Sequence, residues 1–170
     1  ARSRFRVLDL VTSSSYEVDA TLRYAGTMAN FWVEDGVDVP ESALLESARV
    51  FEGSIYPTVT TEFGAIPQTA AHVSPPVTVL NLRLKGADGY FWSADLYPSS
   101  VIPFSNERAM FYMAAGRGEV GSEAYNSTLA HEMQHMIHWH QDANEDAWLN
   151  EGASELAEML NGFGWSPVTL

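Results

Sequence analysis

A chain of 170 residues that is 46% apolar and carries a net charge of −13 can bury one hydrophobic core and is too short to suggest two. That composition excludes a disordered chain. The absence of cysteine excludes disulfides, thiolate nucleophiles and Cys-rich zinc knuckles, and the acidic balance argues against binding nucleic acid. No apolar stretch is long enough to cross a membrane.

The chain opens Ala1-Arg2-Ser3-Arg4, which reads as a processed or excised piece of something longer. Arg4 to Leu10 and Val18 to Val33 are rich in β-branched and aromatic residues and read as extended, with a turn at Ala25-Gly26-Thr27. Pro40-Glu41-Ser42 opens a helix that Ala43 to Phe51 continue, reaching toward Phe63 with a bend or break at Gly53 and Pro57. Gly64 to Pro76 reads as loop. Val77 to Leu84 alternates as a strand, and Gly89 to Ala94 and Ala109 to Ala114 add two more. From Ser122 the period becomes helical, and two helices follow, separated by the polar loop Gln141 to Asp146. The order predicts an α+β fold: a mixed twisted sheet with one early helix, then two consecutive helices.

Charge is unevenly placed. All nine basic residues lie at or before Arg117, whereas Gly118 to Leu170 holds nine acidic residues and four of the five histidines. Most of these carboxylates belong on a solvated surface, but the segment also suits a cation.

Within that segment, His131-Glu132-Met133-Gln134-His135 is an H-E-x-x-H motif, expected by chance in a chain of this make-up roughly once in a hundred. On a helix, residues four apart share a face and can aim two imidazoles at one ion. At about 100° per residue, Leu129, Met133, Met136 and Ile137 gather on one side and the two histidines on the other. A catalytic zinc takes three protein ligands and keeps one position open. The next helix offers Glu151, Glu155 and Glu158 on one face, with Leu149, Ala153, Leu156 and Leu160 as its apolar stripe. Of these carboxylates, Glu151 and Glu155 form a pair one turn apart, one for the metal and the other for a ligand histidine's second ring nitrogen. The longer H-E-x-x-H-x-x-G-x-x-H form is excluded, because His138 and Gln141 stand where it needs Gly and His.

The stretch Ser127 to Trp139, followed by Trp148-Leu149-Asn150-Glu151-Gly152-Ala153-Ser154-Glu155-Leu156-Ala157-Glu158, resembles the glutamate-ligand zincins of the thermolysin-like clan. Its local wording is nearer the hyicolysin-like secreted neutral peptidases. The resemblance covers about 35 residues strongly and implies a zincin-like fold. It makes His131, His135 and Glu151 the Zn2+ ligands, Glu132 the base, Glu155 the brace on His131, and Asn150 a further supporting residue. More weakly, Gly89-Tyr90-Phe91-Trp92-Ser93 resembles the clan's substrate-binding edge strand, which makes Tyr90, Phe91 and Trp92 candidate substrate contacts. It also implies an oxyanion donor, either from a downstream subdomain beyond this stretch or from Tyr112 or Tyr125.

The expected function is therefore a zinc endopeptidase acting on a peptide or protein substrate. Its 1–170 catalytic domain would be mainly sheet over 1–120 and active-site helices over 121–170. Glu132 would take a proton from the attacking water and pass it to the leaving amine. Secretion is implied by the resemblance. The competing readings are a non-catalytic zinc-binding interaction module of a larger secreted protein and a metal-dependent hydrolase of non-peptide substrates. His138 reads as cleft wall, and His72 and His140 as surface and structural. Asp142 to Asp146 has alternate oxygen ligands but lacks the later glycine and glutamate of a calcium loop, so it reads as a solvated connection.

Overall fold

In β1 (Arg2–Leu8) every second residue turns inward, so Phe5 and Val7 are buried while Arg2 and Arg4 meet the acids of the next strand, with Arg4 Nε 3.0 Å from Asp19 Oδ1. β1 pairs antiparallel with β2 (Ser15–Ala25), which pairs antiparallel with β3 (Ala29–Glu34). β4 (Val77–Leu82) and β6 (Met110–Ala114) continue the sheet in parallel, and β5 (Gly89–Phe91) lies antiparallel to β6. The order is β1-β2-β3-β4-β6-β5, which leaves β5 on the edge. The protein is described by a computed structural model over residues 1–117 and 119–164; Gly118 and 165–170, which belong to the acidic segment read from the sequence, lie outside it.

The central strands are buried on both faces, and β4 is buried at every position, the polar Thr78 and Asn81 included. On one face Phe31, Val79, Phe111 and Met113 pack beneath the helices. On the other, Phe5, Trp32, Leu80, Met110 and Tyr112 form a second core. The sheet curls enough to bring its ends together: the Leu8 backbone N–H donates to the Tyr90 hydroxyl at 3.2 Å. A buried Asp95 holds this closure. It accepts from the Tyr112 hydroxyl (2.6 Å) and from the Asn106 backbone N–H (2.7 Å), and Asn106 Nδ2 donates to the Arg6 carbonyl (2.8 Å). Asp95 reaches this place because Ser93–Leu96 coil into a 3-10 turn, so the strand expected through Ala94 ends at Phe91.

The early helix reaches Phe63 without breaking. α1 (Glu41–Val50) passes through one wide π turn, Phe51–Ile55, into α2 (Tyr56–Phe63). The wider turn absorbs Pro57, which has no N–H to donate. Here Glu52 reaches across to the β2–β3 connection, accepting from the Met28 N–H (2.9 Å) and the Tyr24 hydroxyl (3.0 Å). A Cβ on Gly26 would stand 2.0 Å from Glu52 Oε1, so any larger residue would evict that carboxylate from the turn.

α3 (Glu123–Gln141) starts at Ser122, whose hydroxyl accepts from the Tyr125 N–H at 3.1 Å. Leu129, Met133, Met136 and Ile137 are fully buried against the sheet, as their spacing predicts. α4 (Ala147–Leu160) returns alongside α3 and corrects the expectation for its faces. The predicted apolar stripe points outward: Leu149, Leu156 and Leu160 are exposed, with Trp148 and Met159 beside them. The inward face carries Ser154, Ala157 and the carboxylate of Glu158. Polar contacts to α3, rather than apolar burial, orient this helix. Among the described residues, no helix is long and apolar enough to cross a membrane.

Candidate metal centre

His131 and His135 stand one turn apart on α3, on the face away from its buried stripe, and α4 brings Glu151 over them. His131 Nε2 and His135 Nε2 are 2.9 Å apart, and the Glu151 carboxylate lies 3.4 Å from the first and 3.6 Å from the second. Ligand atoms around a tetrahedral ion with bonds of about 2.0–2.1 Å sit about 3.3–3.4 Å apart, so the three groups are spaced for one zinc.

The outer ring nitrogens explain why the Nε2 atoms face inward as acceptors. His135 Nδ1 lies 3.0 Å from Asn150 Oδ1 and 3.1 Å from Ser154 Oγ. Ser154 donates its own proton to Gln134 Oε1 at 2.5 Å, so its oxygen accepts from the imidazole. His131 Nδ1 donates to Glu158 Oε1 at 2.7 Å. With Nδ1 protonated on both rings, two Nε2 lone pairs and a carboxylate converge on one point. Such a cluster of acceptors suits a cation. Burial by itself lowers the His131 pKa, but Glu158, Glu132 and Glu151 together raise it, whereas His135 is lowered by burial and by the closeness of His131.

The resemblance implied Glu155 as the brace on His131; the carboxylate within hydrogen-bond distance of its Nδ1 is that of Glu158. α4 runs back along α3, so Asn150 and Ser154 come opposite His135, and the residue opposite His131 must lie about one turn further on. Asn150, which the resemblance made a supporting residue, lies against His135 rather than His131. Ser154, Gln134 and Glu158 were not singled out for these contacts.

Glu132 points toward the sheet edge and is almost wholly buried. Burial pushes its carboxyl up to about 7; His131 and the Phe91 backbone N–H pull it down, while Glu151 and Glu158 push it up. β5 approaches this group closely because position 89 has no side chain: a Cβ there would stand 2.8 Å from Thr128 Cγ2, 3.0 Å from the Tyr112 carbonyl and 3.2 Å from Glu132 Cγ.

Between β5 and the two helices runs a cleft of about 430 Å³, lined by Gly89 to Ser93, His131, Glu132, His135, Trp139, Asn150 and Glu151. Phe91 and Trp92 border it. Tyr90 contributes to the lining, but its ring turns to the other face of the sheet, where it stacks on Tyr112 at 4.2 Å. Neither tyrosine considered as an oxyanion donor reaches the cleft. Tyr112 donates to Asp95, and Tyr125 donates to Asn81, both within the interior. Tyr125 precedes Leu129 and Met133 at four-residue steps, a signal already in the sequence that it belongs to the buried stripe. His138 lies 4.0 Å from Glu145 across the helix connection and does not join the three-ligand group, while His72 and His140 are exposed.

No family model matches the chain. It is 27% identical over 177 residues to the neutral metalloprotease ShpI of Staphylococcus hyicus, an alignment covering 92% of this chain. The chain spans 39% of the length of that curated relative. This similarity, together with the His131–His135–Glu151 group, bears out the resemblance to zinc metallopeptidases and supports a metallopeptidase in general. The arrangement of His131 and His135 on α3 and the Glu151 carboxylate on α4, beside a mixed sheet, is the expected zincin-like α+β layout.

Proposed function

We propose that this chain is the catalytic domain, residues 1–170, of a zinc-dependent endopeptidase, with His131, His135 and Glu151 holding the metal and Glu132 acting as its general base. The observation that carries the reading is the convergence of two Nε2 lone pairs and one carboxylate beside a buried glutamate, at the floor of a cleft bounded by a sheet edge. Zinc bound there would supply a Lewis acid that acidifies water and polarises a carbonyl. Glu132 takes the proton of the attacking water on its carboxylate and returns it to the leaving amine. The free edge of β5 pairs with an extended peptide backbone, which makes recognition depend on main chain first and on the Phe91 and Trp92 walls second. Asn150, Ser154 and Glu158 hold the imidazoles in orientation. The resemblance to secreted neutral peptidases supports an extracellular site of action.

Zinc content and casein hydrolysis, measured together for the unsubstituted chain and for Glu132→Gln, test this reading. One equivalent of zinc in both, with hydrolysis reduced about 10²–10⁴-fold in the variant, is the expected result. Zinc in both proteins with no hydrolysis by either would favour a zinc-binding interaction module, and no zinc in either would refute the site.

A further inference from the structure

The two imidazoles are braced by chemically different partners. His135 Nδ1 donates to neutral oxygens, Asn150 Oδ1 and Ser154 Oγ. His131 Nδ1 donates to a carboxylate, and that carboxylate is itself fixed: Glu158 Oε2 accepts from the hydroxyl of Ser127, one turn before His131 on α3. Both Ser127 and the Glu158 side chain are largely withdrawn from solvent, so the pair acts in a medium where a charged acceptor is felt strongly.

We propose that Glu158, held by Ser127, is the positioning residue that sets the metal affinity of this site through His131, in the role that the clan resemblance assigns to Glu155. The inference rests on the metal-site reading above and deepens it. Glu155 and Glu158 differ by three residues, about 60° around the helix. The antiparallel passage of α4 along α3 selects Glu158, because Ser154 is already committed opposite Gln134 and His135, and the turn beyond it meets Ser127 and His131. A carboxylate on Nδ1 fixes the tautomer, orients the ring and raises the basicity of Nε2; losing such a partner typically weakens metal binding about 10–100-fold.

The test compares Glu158→Gln, Glu155→Gln and Ser127→Ala with the unsubstituted chain. Zinc dissociation constants come from competition with a chromophoric chelator, and fold is checked by circular dichroism. Glu158→Gln should bind zinc about 10–100-fold more weakly, Ser127→Ala more weakly by a smaller factor, and Glu155→Gln within about twofold of the original. Nitrogen-15 NMR of the zinc-loaded protein supplies a signature that general destabilisation would not move. The His131 Nδ1–H resonance should shift in Glu158→Gln and Ser127→Ala and stay in place in Glu155→Gln. If Glu158→Gln does not fold, the resonance in the other two variants still decides. Loss of affinity in Glu155→Gln equal to or greater than in Glu158→Gln, or a His131 resonance that only Glu155→Gln moves, overturns the proposal alone. Failure of the unsubstituted chain to bind zinc overturns it together with the metal-site reading.

Discussion

α3 and α4 lie side by side and both carry site residues, yet they are held by opposite means. α3 drives Leu129, Met133, Met136 and Ile137 into the core and presents its histidines on the remaining face. α4 leaves Trp148, Leu156 and Met159 in solvent and turns Ser154 and Glu158 inward. On α3 the hydrophobic effect fixes the rotation of the helix, and the two histidines occupy the face left over. On α4 the hydrogen bonds to Gln134, His135, His131 and Ser127 fix the rotation, at the cost of exposed apolar surface. The candidate metal site across the pair thus has one element anchored by packing and one anchored largely by the site's own hydrogen bonds.

The sharpest way to break this contrast is truncation on each helix. Leu129→Ala should cost about 2–5 kcal/mol in urea denaturation, because a fully buried side chain leaves a cavity. Leu156→Ala, on the exposed stripe, should change stability by less than about 0.5 kcal/mol. Comparable losses at both positions would mean that the outward face of α4 is packed in solution.

Metal removal should separate the helices next. Zinc held at a hundred to a thousand times its dissociation constant stabilises the folded chain by about 2.7–4 kcal/mol. Since Glu151 belongs to α4, chelation should speed amide hydrogen exchange through residues 147–160 while leaving the 129–137 stretch of α3 protected. Uniform acceleration across both helices would show that the site steadies the whole domain rather than the second helix.

A smaller effect belongs to the sheet side of the cleft. Burial pushes the Asp95 carboxyl up to about 6, against an ordinary value of 3.8, despite the donors from Tyr112 and Asn106. Between these values the folded chain holds a proton that the unfolded chain has released. The Asp95 contribution to stability is therefore fully present below pH 3.8 and is lost as pH rises through 6. At about 1.4 kcal/mol per pKa unit this amounts to roughly 2–3 kcal/mol. Asp95→Asn removes the titration, so the stability of the unsubstituted chain relative to the variant should fall between pH 4 and pH 7; a flat difference would show that Asp95 titrates normally.

The core face of α3 and the pairing of His131 with His135 were legible in the sequence, because a helical period and an i, i+4 spacing are local relations that survive in any fold containing that helix. The α+β class and most strand positions were legible for the same reason. The run from Ala43 to Phe63 is helical to the expected end, and where the sequence predicts a bend or break near Gly53 and Pro57 the chain makes a π turn. Glu151 was reached through resemblance and chain order. The choice between Glu155 and Glu158 was not legible, since both lie on the helix face that meets α3 and only the register of the two helices separates them.

By itself, then, the amino-acid order determined which segments coil, which extend, and which two histidines share one face of a helix. The tertiary structure decided which way α4 faces, which carboxylate meets His131, and which aromatic residues border the cleft rather than the core. Those outcomes depend on the crossing and register of elements distant in the chain. Periodicity records the side of an element on which a residue lies, but the partner on that side is set by the free energy of the whole assembly.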